Sequence, residues 1–152
     1  MSKPRVLVIE DGHEYSESLG RFLSHAFDFV RAGDGHEALH LLGSESFDAA
    51  FLDMRFDRVQ PKQLLGDRAA ASERFSGDSE QALRFLENNQ GAYILAALRK
   101  ARHSLGVVWS YDFDGEPRRW KHLAKTYAPL TYLSDNASPK DIQERLSQAA
   151  QS

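Results

Sequence analysis

The segment Arg5-Val6-Leu7-Val8-Ile9 is almost wholly apolar, rich in β-branched residues, and stops abruptly at Glu10-Asp11-Gly12. A strand with one wet face alternates apolar and polar residues. An unbroken apolar run means that both faces are covered, as in a central strand of a parallel sheet with helices on each side. Parallel neighbours need long crossover connections, usually helical, so this pentapeptide already calls for an alternation of strands and helices along the chain.

The remaining sequence supplies that alternation. Tyr15, Leu19, Phe22, Leu23 and Ala26 recur at helical spacing, and residues 27–30 read as a second strand. Asp34 followed by Glu37 forms a capping box ahead of Ala38, Leu39 and Leu42, which predicts a second helix. Residues 49–52 make a third strand that delivers Asp53 to its end. Residues 56–88 then break the rhythm with Pro61, Gly66, Gly77 and a polar run over 71–80. They read as an insertion with some helix, Ser79 capping a short helix through Leu86. Ile94, Leu95, Leu98 and Ala101 mark a clearer amphipathic helix, and residues 105–109 a fourth strand. Pro117 suits the first position of a helix carrying Trp120, Leu123 and Ala124. Leu130–Leu133 makes a fifth strand, and Ser138-Pro139 opens a last helix with Ile142, Leu146 and Ala149 inward.

Five strands alternating with five helices predict a three-layer, doubly wound α/β domain around a parallel sheet with right-handed crossovers. The expectation is one domain over residues 1–150, with an insertion at about 56–88 between the third strand and the third helix and no effector domain after it. Hydrophobic residues make up 41% of the chain, enough for a packed core. The formal net charge of -3 lacks the basic surplus of a protein that grips phosphate backbones, so direct nucleic-acid binding is not expected. No apolar run reaches the roughly 20 residues that cross a bilayer. The absence of cysteine removes thiol chemistry and fits a reducing compartment, so the expected location is the cytoplasm, without membrane insertion.

In open α/β sheets the ligand crevice lies at the carboxyl ends of the strands. Glu10, Asp11, Asp53, Ser110 and Asp135 all fall at or just beyond those ends. Clustered carboxylates repel one another, and a hard divalent cation with oxygen ligands, most simply Mg²⁺, relieves the repulsion. A carboxylate beside such a metal can attack a phosphoryl group. Ser110 can then hydrogen-bond a phosphoryl oxygen.

These residues resemble the response-regulator receiver domains of two-component signalling. Val6-Leu-Val-Ile-Glu-Asp11 is similar to the family's first strand and acidic pair, and Ala32-Gly-Asp-Gly-His-Glu-Ala-Leu39 to its second helix entry. Phe47-Asp-Ala-Ala-Phe-Leu-Asp-Met54 resembles the third strand ending in the phosphoacceptor, and Gly91 to Ala101 the third helix. Gly106-Val-Val-Trp-Ser110 resembles the fourth strand with its switch hydroxyl, and Tyr132 the switch aromatic. The resemblance implies a flavodoxin-like sheet in the order 2-1-3-4-5. It implies a phosphoryl group accepted on Asp53 from a histidine kinase or phosphotransfer protein, with self-dephosphorylation rather than turnover. It further implies Mg²⁺ held by Glu10, Asp11, Asp53 and the backbone carbonyl of Arg55, and signalling by contact with a downstream protein target or as a homodimer.

Two features depart from the pattern. Asp135 stands where the family places a lysine that pairs with the phosphoacceptor, and an added acid there increases repulsion. Arg55, Arg58 or Lys62, from the start of the insertion, are the cations within reach of that gap in sequence. The insertion itself follows the phosphoacceptor strand directly, as a lid or a partner surface would. A receiver-like interaction module that works without phosphorylation is therefore the main alternative. His36-Glu37-Ala38-Leu39-His40 also matches the zinc-hydrolase pattern HExxH, although the same residues are accounted for by the receiver-like helix start. Asp112-Phe113-Asp114-Gly115 resembles the nucleophile loop of haloacid-dehalogenase-like phosphotransferases, but too few residues follow it for that fold. An acidic loop capping the helix at Pro117 is the simpler reading.

Overall fold

Five parallel strands form one sheet in the order β2-β1-β3-β4-β5. They are β1 (Arg5–Ile9), β2 (Asp28–Ala32), β3 (Ala49–Asp53), β4 (Gly106–Ser110) and β5 (Leu130–Leu133). The computed structural model describes residues 2–134 and 136–151. The sheet order is the one expected from the sequence, and β1 is central because Val6 to Ile9 are wholly buried, with β2 and β3 on its two sides.

Helices cover both faces. Helix α1 (Glu14–Leu23) and α7 (Pro139–Ala150) lie on one face, where Leu19, Leu23, Leu146 and Ala149 pack on Val6, Val8, Phe51 and Val108. Helix α2 (Gly35–Ser44), α5 (Gln90–Lys100) and α6 (Pro117–Thr126) lie on the other, where Ala38, Ile94, Leu98 and Leu123 join Leu7, Ile9, Leu52 and Trp109. Successive strand residues point to opposite faces, so each interior strand feeds two cores, which is why its sequence is apolar throughout.

The structure has seven helices among its described residues: the five expected to alternate with the strands, and two within residues 56–88, where the sequence predicts one. Residues 56–88 contain a 3-10 turn at Pro61–Gln63, α3 (Arg68–Arg74) and α4 (Ser79–Asn88). This segment is anchored rather than draped: Phe56, Leu64, Ala71, Ala82 and Leu86 are buried in the same core as α5. The buried Gln90 side chain accepts from Leu65 N–H at 2.7 Å and donates to the carbonyls of Leu65 and Leu86 at 3.1 and 3.2 Å. The α4 cap is Asp78 rather than Ser79, because the Asp78 carboxylate accepts from both Glu80 and Gln81 N–H and leaves Ser79 as the first helical residue.

Other starts and stops follow local chemistry. Asp34 accepts from Glu37 N–H while Glu37 accepts from Gly33 N–H, so the capping box expected at α2 is formed. Pro117 occupies the first turn of α6, and the Ser138 hydroxyl caps α7 through Asp141 N–H. The second strand begins one residue later than expected and runs to Ala32, since pairing starts at Asp28 opposite Arg5 and buried Phe27 packs beneath it. The fourth strand likewise runs from Gly106 to Ser110 rather than over 105–109. Phe22, read as an inward residue of α1, is 51% exposed. It lies one residue, about 100°, round the helix from buried Leu23.

Candidate functional site

The topology brings the expected residues to one end of the sheet. Asp53 closes β3 and pairs in register with Ser110 at the end of β4, while Glu10 and Asp11 leave β1 on the other side of β3. Gly91 makes this end tight: its N–H donates to the Met54 carbonyl at 2.8 Å. A Cβ there would lie 2.5 Å from the Asp53 carbonyl oxygen and 2.8 Å from Trp109 Nε1. Glycine thus lets α5 begin against the backbone that carries Asp53.

Two shallow depressions flank Asp53. One, of about 380 Å³, is lined by Glu10, Asp11, Glu14, Arg55 and Arg58, and the other, of about 520 Å³, by Met54, Asn88, Ser110, Tyr111 and Asp112. Asp53, Tyr15 and Arg55 line both. Burial pushes the Asp53 carboxyl up to about 6, with the negative charges of Asp11 and Glu10 adding to the effect. Its Oδ1 accepts from Met54 N–H at 2.8 Å, which favours the carboxylate and limits the rise.

Glu10 is only 1% exposed, and both its oxygens are engaged: Oε1 accepts from Tyr15 N–H at 3.0 Å, and Oε2 from Ser16 N–H and Oγ at 2.7 and 2.6 Å. His13, the residue before α1, offers no side-chain cap, so Glu10 satisfies the open amides and complements the positive helix end. Asp11 accepts from Arg58 N–H at 2.8 Å through Oδ2. The Arg58 guanidinium meets Glu14 at 2.7 Å, above Gly12, where a Cβ would collide with both partners. Both side chains of that pair are more than half exposed, so the pair orients the loop more than it stabilises it. Arg31 braces the same loop by donating to the carbonyls of Asp11 and Gly12.

Ser110 is 5% exposed, and its hydroxyl donates to Tyr15 Oη at 2.7 Å. Tyr132 packs edge-on against Phe113 and Trp120, with centroids 5.3 and 4.6 Å away, and its hydroxyl donates to Asp114. That carboxylate holds the Tyr132 phenol above its ordinary value. Asp112 accepts from Asp114 N–H within its own turn, so these acids brace the loop after β4 and leave α6 without a side-chain cap.

The sequence-predicted residues separate accordingly. Asp11, Asp53 and Ser110 meet at the depressions, and Glu10 meets them but is committed to α1. Tyr132 belongs to the aromatic cluster beyond Ser110. Asp135, the position aligned with the family lysine, lies outside the described residues. Of the three candidate cations, Arg58 is paired with Glu14, Arg55 with Asp57 at 3.2 Å, and Lys62 lines neither depression. His36 and His40 are exposed on α2 while Glu37 closes the capping box. No cluster of three His, Asp or Glu suited to a metal ion occurs among the described residues. Sequence reasoning missed Tyr15, whose signal was only an aromatic on the inner face of α1, and Arg58 as a ligand of the β1–α1 loop.

No family model matches the sequence, and no curated protein matches it. Solved structures do match it over nearly the whole chain. The receiver domain of Francisella response regulator 1452 is 19% identical, with a TM-score of 0.66 and 98% of each chain covered. The CheY-like receiver domain protein of Methanospirillum hungatei is 16% identical, with a TM-score of 0.64 over 99% of this chain and 95% of that one. A receiver domain protein of Clostridium thermocellum is 16% identical, with a TM-score of 0.64 over 97% and 94%. The fold is therefore the receiver, or CheY-like, form of the flavodoxin-like class. No helix among the described residues is long and apolar enough to cross a membrane.

Proposed function

We propose that this chain is a receiver-type signalling module in which Asp53 accepts a phosphoryl group from a histidine kinase or phosphotransfer protein in the cytoplasm, the signal passing onward by protein contact. The observation that carries this reading is the half-buried Asp53 at the end of β3, beside the Ser110 hydroxyl and open to two depressions. With its carboxyl pushed up to about 6, Asp53 is still mostly ionised at neutral pH, as a nucleophile must be. A carboxylate oxygen attacks phosphorus, the phosphorus–nitrogen bond of the donor breaks, and the imidazole leaves with that electron pair and takes up a proton.

The donor chemistry suits a hard cation, with one amendment to the expected set. Asp11 and Asp53 offer carboxylate oxygens and Arg55 a backbone carbonyl two residues on, whereas both Glu10 oxygens already serve α1. Two carboxylates plus water and phosphate oxygens are an ordinary Mg²⁺ environment. When bound, Mg²⁺ supplies neutralisation of the charge that grows on the transferring group. Glu10 then acts by fixing α1 and Tyr15, and Ser110 by hydrogen-bonding a phosphoryl oxygen.

Acetyl phosphate with Mg²⁺ is expected to add one phosphoryl mass to the intact protein, and none to Asp53→Asn or in the presence of a chelator. An unmodified wild-type protein favours the second reading, an interaction module that works without phosphorylation. That reading draws on the Arg58 amide held by Asp11 and the Arg58–Glu14 pair, contacts that order the rim of one depression without any ligand.

A further inference from the structure

Ser110 has a single hydroxyl proton to donate, and that proton is spent on Tyr15 Oη at 2.7 Å, 95 residues away in the chain. Ser110 as a residue is only 5% exposed, at the floor of the depression it lines. Tyr15 is itself held by several contacts with described residues. Its N–H donates to Glu10, its ring packs on Phe51 with centroids 5.0 Å apart, and its hydroxyl receives Ser110. The buried Glu10 thus holds the first turn of α1, and with it Tyr15, which lines both openings onto Asp53.

We infer that Tyr15 is a positioning residue that restrains the switch: it holds the Ser110 hydroxyl in the unmodified state, so that a phosphoryl group on Asp53 obtains this donor only by displacing Tyr15. The inference rests on the reading of Asp53 as phosphoacceptor. The exchange breaks one hydrogen bond and forms another, with no covalent change and no further reactant. It makes α1, through Tyr15, a direct reporter of the state of Asp53. Any ligand that moves the first turn of α1 alters the readiness of Ser110.

The test uses beryllium trifluoride with Mg²⁺ as the phosphoryl mimic, titrated calorimetrically into the full chain, with Asp53→Asn as the blank. Tyr15→Phe keeps the ring on Phe51 and removes the competing acceptor. Because one ordinary hydrogen bond is at stake, it is expected to bind the mimic about 2- to 10-fold more tightly than wild type. In a Ser110→Ala background the same substitution is expected to change nothing, a result that a merely structural role of the phenol would not produce. Equal or weaker binding by Tyr15→Phe, or a gain that persists without Ser110, overturns the inference while leaving the phosphoacceptor reading intact. Binding by Tyr15→Phe alone supports it. Folded protein in which neither wild type nor Tyr15→Phe binds the mimic overturns both.

Discussion

Replacing Asp53 with asparagine is expected to stabilise the protein, by an amount that depends on pH. The Asp53 carboxyl is pushed from its ordinary value of 3.8 to about 6, chiefly by burial and secondarily by Asp11 and Glu10. An acid whose folded value is raised binds its proton more tightly in the native than in the unfolded chain, so stability falls as pH rises between those two values. The contribution is fully favourable below about 4 and fully lost above about 6. A shift of roughly 2 units corresponds to about 3 kcal/mol, and the remaining exposure of the side chain reduces this to about 2 kcal/mol. Asparagine removes the charge and keeps an Oδ1 that can accept from Met54 N–H. Urea unfolding in chelator-containing buffer is the assay. Asp53→Asn is expected to exceed wild type by about 2 kcal/mol at pH 7.5, by about half that at pH 5, and by little at pH 4. A difference that stays constant across this range, or a variant less stable than wild type at pH 7.5, would refute the view that the charge is held against desolvation and like charge.

Two further outcomes concern the scaffold of the site. Arg99 donates to the carbonyls of Tyr127, His103, Leu105 and Pro129, and partial burial holds its guanidinium below the ordinary value. Arg99→Ala leaves these acceptors without their charged donor and is expected to lose about 3 kcal/mol in thermal or urea unfolding; a loss under 1 kcal/mol would show that water replaces it. Gly91→Ala places a Cβ 2.5 Å from the Asp53 carbonyl and 2.9 Å from Met54 Cα, and is expected to cost about 1–3 kcal/mol. It is also expected to slow labelling of Asp53 by acetyl phosphate, and wild-type labelling together with wild-type stability would count against the close approach.

Much of this was legible in the chain because it depends on local spacing. A strand buried on both faces must be apolar throughout, and a helix start needs an acceptor for its open amides. So Arg5–Ile9, Asp34 with Glu37, Pro117 and Ser138 announced their elements directly. The sheet order was legible only through resemblance to receiver domains, since nothing in the spacing of parallel strands dictates which are neighbours. Residues 56–88 were legible least. Their helices are short and polar, and they hold their place through scattered contacts such as Phe56, Leu64 and Gln90 rather than through a periodic face.

The sequence by itself determined that Asp53, Asp11 and Ser110 stand at strand ends on the side where such folds bind ligands. It could not determine how each carboxylate is used, because Glu10 and Asp11 are adjacent, chemically alike and equally near the turn. Only the tertiary structure separates them: Glu10 turns back into the open amides of α1, while Asp11 faces the depression and the Arg58 amide. The same holds for Tyr15, which reads as one more inward aromatic of a helix until packing against Phe51 brings its hydroxyl to Ser110. Local hydrogen-bonding needs are written in short-range order, whereas the partner that meets them is chosen by what folding brings within 3 Å.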